Sequence, residues 1–142
     1  MALINDEIAA QLREEFQGLV GPVRLVVFSQ ALADPDSEQV TRLVSELAAL
    51  DPRLGFEDVN FVLEKEKAEA FGIGRTPAIA IVGPEKDHGI RMYGMPSGYE
   101  FGSLIDAILT VSKGASGLSE ETRQALAKVD RPVNIQVFST PT

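Results

Sequence analysis

The chain has 142 residues, of which 44% are hydrophobic, and thirteen Lys and Arg stand against twenty-one Asp and Glu, for a formal net charge of -8. This composition predicts one folded domain with a sizeable core, and it excludes the basic face that binding to nucleic acid or an anionic membrane requires. The chain has no cysteine and one histidine, His88, which excludes disulfides, thiol chemistry and zinc sites built from cysteine or several histidines. We therefore expect a cytoplasmic protein without a bound metal, a cofactor, a signal peptide or a membrane span.

Apolar periodicity predicts alternating helices and strands through the first half of the chain. Apolar residues at every fourth position indicate an N-terminal helix, and the near-continuous apolar run that follows indicates a strand buried on both faces. A second amphipathic helix, a second strand and a short charged helix come next. The predicted elements are the helix carrying Ile4, Ile8, Leu12 and Phe16, the strand Val23–Ser29, the helix carrying Val40 to Leu50, the strand Phe56–Leu63 and the helix Glu64–Phe71.

The second half begins with two strands around a turn and ends with two helices and a strand. In the first half of the chain, the order strand, helix, strand predicts a parallel pair of strands joined by a right-handed crossover. In the second half, the two strands after Pro77 predict an antiparallel hairpin. The simplest arrangement of these elements is one mixed sheet with helices packed on both faces. The predicted elements are the strands Ala78–Val82 and Gly89–Tyr93, the helices Ser97–Ser112 and Leu118–Asp130, and a terminal strand within Arg131–Thr142.

Two strands of this series repeat one another. PVRLVVFS, Pro22 to Ser29, and PVNIQVFS, Pro132 to Ser139, are identical at five of eight positions. One interpretation is a duplicated unit, with a first domain over residues 1–114 and, over 115–142, a linker helix and the first strand of a second unit. The other interpretation is two generic buried strands of similar composition, and the sequence leaves both open.

Several of these stretches carry a resemblance to a known fold. The strand ending at Phe28 leads through a short loop into a helix, and Arg75-Thr76-Pro77-Ala78 places a Thr-Pro before the third strand. With the repeat and the stretch Met92–Gly114, the chain resembles the thioredoxin fold. More narrowly, it resembles the tandem thioredoxin-fold (glutaredoxin-like) protein disulfide oxidoreductase of thermophilic prokaryotes and the N-terminal region of the flavoprotein subunit of alkyl hydroperoxide reductase.

The resemblance covers essentially the whole chain and implies an α/β, thioredoxin-like fold. The expected architecture is a central mixed four-stranded sheet flanked by helices, plus a C-terminal helix and an extra terminal strand. In this family a Cys-x-x-Cys follows the strand that Val137–Thr142 resembles in the second unit. The resemblance therefore implies a second thioredoxin-like unit, or a redox protein, as the partner of this chain.

The resemblance also locates a degenerate active site. Alignment places the cysteine positions of the first unit at Asp34 and Ser37, within Asp34-Pro35-Asp36-Ser37, so no catalytic residue is expected. A helix start is the ordinary role of this stretch, because Asp is a favoured N-cap and Pro a favoured first helical residue. The family implies a cis Thr76–Pro77 bond beside a groove, where the Thr76 backbone can pair with an extended peptide.

Three functions follow as hypotheses. The first is a redox-inactive thioredoxin-fold domain of a disulfide oxidoreductase or peroxide-defence reductase system, with a scaffolding or partner-binding role. The second is a stand-alone thioredoxin-like binding or assembly module that forms a homodimer through its terminal strand. The third, an enzyme that uses Ser37 or Asp34 with a thiol ligand, ranks last because no base for Ser37 is visible in the sequence.

Overall fold

The computed structural model describes residues 2–32 and 34–140. Its helices and strands alternate as the periodicity predicts, and a short 3-10 turn at Phe16–Gly18 follows the first helix. The strands are β1 (Val23–Ser29), β2 (Leu54–Asn60), β3 (Ala78–Val82) and β4 (Ile90–Tyr93). The helices are α1 (Asp6–Glu15), α2 (Pro35–Ala48), α3 (Lys65–Ala70), α4 (Tyr99–Lys113) and α5 (Glu120–Ala127).

The four strands form one mixed sheet in the order β2-β1-β3-β4. β1 and β2 are parallel, with Val23 opposite Leu54 and Ser29 opposite Asn60. β3 lies antiparallel to both β1 and β4. The predicted parallel pair and the predicted hairpin after Pro77 are therefore both present, and β1 is an inner strand, as its continuous apolar sequence indicates.

The sheet is covered unequally on its two faces. Alternate residues of β1, namely Val23, Leu25 and Val27, pack into a large core with α1, α2 and α4. The intervening Val26 and Phe28 join a smaller core, which α3 covers through Ala68. Because α3 has only six residues, it covers part of this second face.

The extra terminal strand does not form among the described residues. Residues 132–140 have no regular secondary structure, and every residue from 114 to 140 is exposed. A β-strand needs a neighbouring strand to satisfy its backbone, and this segment pairs with no strand of the sheet. Pro141 and Thr142, the end of the predicted strand, lie outside the described residues.

The predicted bounds of the second strand need adjustment. β2 begins at Leu54 and ends at Asn60, two to three residues earlier than the apolar run suggested. The Asn60 side chain ends β2 by accepting hydrogen bonds from the backbone N–H groups of Val62 and Leu63, which bends the chain into a turn.

Ser119 is the N-cap of α5, as predicted, and its hydroxyl accepts a hydrogen bond from the N–H of Thr122. No helix in the described part of the chain is both long and apolar enough to cross a membrane.

Candidate functional site

The start of α2 contains Asp34 and Ser37, the two residues that the family resemblance predicts at cysteine positions. Asp34 is the N-cap residue and Pro35 opens the first turn, as the sequence predicted. The Asp34 carboxylate accepts no well-aligned hydrogen bond from an N–H of the first helical turn. Instead, it accepts a hydrogen bond of 2.6 Å from the Ser37 hydroxyl. The Ser37 oxygen in turn accepts the backbone N–H of Gln30 at 3.0 Å. Ser37, only 2% exposed, therefore ties the end of β1 to the start of α2.

The surroundings of Asp34 favour its charged form. Partial burial would raise the pKa of its carboxyl, but hydrogen bonds from the hydroxyls of Ser37 and Thr76 outweigh burial and lower the pKa. The amide groups of Asp36 and Ser37 act in the same direction, as dipoles at a helix N-terminus do. An aspartate held ionised in this way is a poor base for a neighbouring hydroxyl, so the pair is unsuited to serine nucleophilic catalysis.

Thr76 and Pro77 lie next to this pair. The Thr76–Pro77 peptide bond is cis, and the Pro77 carbonyl accepts the N–H of Gly94 from the end of β4. The Thr76 side chain reaches Asp34, while no described residue pairs with its backbone N–H or carbonyl. The guanidinium of Arg75 lies over the Tyr93 ring, 4.5 Å from its centroid, in a cation–π contact. A half-buried stretch of backbone at Thr76 is therefore left available beside the start of α2.

A groove of about 890 Å³ opens from the start of α2 towards β2. Besides Asp34, Pro35 and Ser37, it contains polar residues that sequence reasoning missed. They lie where the parallel strands β1 and β2 both end, and side chains at this edge commonly meet at a ligand site. Those residues are Ser29, whose hydroxyl donates to Asp58 at 2.7 Å, and Asn60 and Glu64, joined by an N–H to carboxylate bond of 3.0 Å.

The other charged features of the sequence are ordinary surface. His88 is exposed in the turn before β4. In the charged helix α3, Lys67 pairs with Glu57 of β2, and Lys65 lies 3.7 Å from Glu69. The residues that the structure describes contain no cluster of His, Asp and Glu that fits a metal ion. The groove offers hydrogen-bonding side chains and no thiol, and the free backbone at Thr76 lies outside its lining.

No family model matches the chain. Two curated relatives align with 136 residues, 96% of this chain. An NADH dehydrogenase of Ferdinandcohnia aciditolerans is 34% identical, and the alkyl hydroperoxide reductase AhpF of Staphylococcus aureus strain NCTC 8325 is 24% identical. The chain spans about a quarter of the length of these relatives, 24% of each.

Two solved structures match closely in backbone. The C503A mutant of the alkylhydroperoxide reductase AhpF of Enterococcus faecalis has a TM-score of 0.78 and 26% identity, over 87% of this chain and 60% of that one. The protein disulfide oxidoreductase of Aeropyrum pernix has a TM-score of 0.79 and 24% identity, over 90% of this chain and 56% of that one, and that likeness concerns the fold alone.

Fold and groove together define a thioredoxin-like domain, and the expected fold class is confirmed. Within that class, the chain is similar in sequence to an NADH dehydrogenase and to the alkyl hydroperoxide reductase AhpF, and in structure to AhpF and, for the fold alone, to a protein disulfide oxidoreductase, so the expected resemblance is confirmed. This chain is a form of the fold without cysteine, with Asp34 and Ser37 at the start of α2.

Proposed function

We propose that the chain is a cytoplasmic, redox-inactive thioredoxin-fold domain of a disulfide-reducing or peroxide-defence system. Its role is to scaffold and bind a partner, and the partner is a second thioredoxin-like unit or a redox protein. In this proposal residues 1–114 are the domain, and residues 115–142 are the linker helix and the first segment of the second unit. The partner supplies the thiols.

The observation that carries this proposal is the hydrogen-bonded Asp34–Ser37 pair at the start of α2. The family resemblance implies a Cys-x-x-Cys pair at these positions, and here the two residues join β1 to α2 without any thiol. The similarity to the alkyl hydroperoxide reductase AhpF supports the redox system as the setting. The unpaired backbone of Thr76 supports a binding role, because an extended segment of a partner can pair with it as an added strand.

A thiol-exchange assay tests the redox part of the proposal. Reduction of a disulfide-bonded reporter peptide by dithiothreitol should proceed no faster with the wild-type chain than without it. The double variant Asp34→Cys/Ser37→Cys should accelerate the reaction, because a helix N-terminus lowers the pKa of a thiol placed there. Acceleration by the cysteine-free wild type would contradict the proposal.

The intact mass of the native gene product, isolated from its source cells, tests the setting. A mass well above that of 142 residues, with cysteines in the additional segment, would support a domain of a larger redox protein. A mass equal to that of this chain would reject the larger-protein setting and favour the second candidate.

The second candidate is a binding or assembly module that forms a homodimer through residues 132–140. It is favoured by one observation: Ile135, Val137 and Phe138 are each more than 80% exposed, in a sequence that repeats a buried strand. Sedimentation of the full chain should then show a dimer that Val137→Asp converts to a monomer. The control Leu63→Asp changes an equally exposed apolar residue outside the segment and should leave the dimer intact. A monomeric wild type would reject this candidate.

A further inference from the structure

A second cleft, of about 630 Å³, lies at the other end of the sheet from the groove. Its floor is the part of the smaller-core face where Arg24 lies between Gly55 of β2 and Val82 of β3. Its walls come from the loop before β1, the loop before β2 and the turn after β3. These walls contain Pro22, Pro52, Arg53 and the run Pro84–Asp87.

Two cations in this cleft have no carboxylate partner. Arg24 and Lys86 are exposed, and neither side chain has a hydrogen bond or ion pair with any described residue. The other basic residue of the lining, Arg53, is neutralised by Asp51 at 2.7 Å. In a chain with a net charge of -8, two unpaired cations in one cleft are an unusual concentration of positive charge.

The acidic side chains of the cleft cancel only part of this charge. Asp87 is paired with Arg91 at 2.5 Å, so it does not neutralise Arg24 or Lys86. Glu85 is the remaining carboxylate and has no partner among the described residues. The unpaired groups of the cleft are therefore two cations against one carboxylate. Among the described residues, the groove at the other end of the sheet is lined by four carboxylates, Asp34, Glu38, Asp58 and Glu64, against Arg42.

Both cations extend from fixed backbone. Arg24 is in the inner strand β1, and its aliphatic stem lies beside Gly55, where a Cβ would be 3.8 Å from its Cγ. The Lys86 carbonyl accepts the N–H of Gly83 and closes a tight turn. The same turn is packed closely, because a Cβ on Gly83 would lie 3.0 Å from that carbonyl oxygen. The cleft is therefore formed before any ligand binds, which reduces the entropy lost on binding.

We propose that this cleft binds an acidic peptide segment of a partner protein through Arg24 and Lys86. An extended segment with carboxylates at alternate positions presents them on one side, about 7 Å apart, to cations held by two separate elements. A small anion would need several donors converging on one point, and here the unpaired cations come from β1 and from the turn after β3. The groove at the start of α2 is acidic and repels the same segment, so the segment binds at the cleft instead.

The test is a titration of the isotope-labelled full chain with a synthetic peptide that carries glutamate at alternate positions, followed by NMR. Saturable shifts are expected for the amides of Gly55 and Gly83, with no comparable change at Ser37 and Asn60. Arg24→Gln and Lys86→Gln should each weaken binding about two- to fivefold, the range for an exposed ion pair, and added salt should weaken it further. The matched control Arg13→Gln/Lys128→Gln removes two unpaired cations elsewhere and should leave the affinity unchanged.

Any of four results would overturn the proposal. The first is the absence of saturable shifts at the cleft with the acidic peptide. The second is equal weakening by the Arg13→Gln/Lys128→Gln control, which would indicate attraction by overall charge. The third is that inorganic phosphate alone produces the same shifts at the same concentration, which would assign the cleft to small anions. A peptide with glutamine in place of glutamate should produce no shifts, and equal binding of that peptide would also reject the role of charge.

Discussion

The Ser37 hydroxyl joins the end of β1 to the start of α2 through two hydrogen bonds, one to the Asp34 carboxylate and one from the Gln30 amide. The hydroxyl is 2% exposed, donates to Asp34 and accepts from Gln30 N–H. Each of these groups would lose a partner if the hydroxyl were absent, and a buried polar group without a partner is costly. The pair therefore stabilises the junction of β1 and α2.

Ser37→Ala should lower the free energy of unfolding by about 1–3 kcal/mol, because it leaves the Gln30 amide and the Asp34 carboxylate with one partner fewer. Urea denaturation followed by circular dichroism measures the change. Ser29→Ala removes a hydroxyl whose bond to Asp58 is exposed, and should change stability by less than about 0.5 kcal/mol. Equal losses in the two variants would contradict the structural role of Ser37.

Asp87 gives a pH-dependent prediction. Hydrogen bonds from Arg91 outweigh partial burial and, with the N–H of Gly89, lower the pKa of Asp87 from 3.8 to about 2. A carboxyl whose pKa is lower in the folded state stabilises the protein above its unfolded pKa, and this contribution disappears as pH falls through the folded pKa. The difference in unfolding free energy between wild type and Asp87→Asn should be constant above about pH 4 and shrink towards pH 2.

Urea denaturation at a series of pH values measures this difference. Asp106→Asn is the control, because it removes an exposed carboxylate that has no ion-pair partner among the described residues. Its difference from wild type should stay small throughout. If the difference in unfolding free energy for Asp87→Asn grew as the pH fell, the expected direction of the Asp87 pKa shift would be wrong.

At the scale of elements, long-range side-chain bonds fix α1 and the chain before it against the rest of the fold. Glu46 of α2 accepts the N–H groups of Leu3 and Ile4 at 2.8 and 2.9 Å. Arg53, just before β2, donates to the carbonyls of Leu19 and Phe16 at the end of the helical segment. These bonds hold both ends of α1, whose apolar face alone buries only Ala9 and Leu12.

Glu46→Ala should release the chain before α1. We expect about 1 kcal/mol less stability, towards the low end for bonds to a charged group because Glu46 is partly solvated. Hydrogen exchange at the amides of Leu3 and Ile4 should become faster. Glu38→Ala, on the same helix at an exposed position without a partner among the described residues, is the control and should leave that exchange unchanged. Unchanged exchange in Glu46→Ala would reject the tether.

Local sequence predicted most elements because their cause is local. The amphipathic pattern from Val40 to Leu50 and the Asp34-Pro35 start identify α2, and the apolar run identifies β1. β2 was predicted too late because its apolar residues continue into Phe61–Leu63. Its actual end depends on the Asn60 side chain, which bonds the following amides. Composition does not show which polar side chain accepts hydrogen bonds from the backbone that follows it.

At the scale of the whole molecule, the part from α5 onwards adds nothing to the core. Helix α4 ends at Gly114, which has a φ of 68° and donates its N–H to the carbonyls of Thr110 and Val111. From there to residue 140 every described residue is exposed, including Val133 and Phe138. Hydrophobic stabilisation scales with the apolar area removed from water, so this part contributes little to folding of the sheet domain.

Deletion of everything after Gly114 should therefore change the free energy of unfolding by less than about 0.5 kcal/mol. The dependence of that free energy on urea should also keep its slope, because the area exposed on unfolding of the core is unchanged. Urea denaturation of both chains measures the two quantities. A loss well above about 1 kcal/mol would mean that the deleted part packs on the domain in solution.

The sequence by itself determined the order of helices and strands, the absence of thiol chemistry and the start of α2, because these follow from local periodicity, composition and capping residues, and its family resemblance implied the thioredoxin-like fold. Only the tertiary structure decided which residues meet at the ends of β1 and β2, and which cations of the second cleft lack partners. It also decided whether the repeated segment forms a strand. PVRLVVFS is a buried strand and PVNIQVFS is exposed, although the two are nearly alike, because a strand exists only where neighbouring strands pair with it.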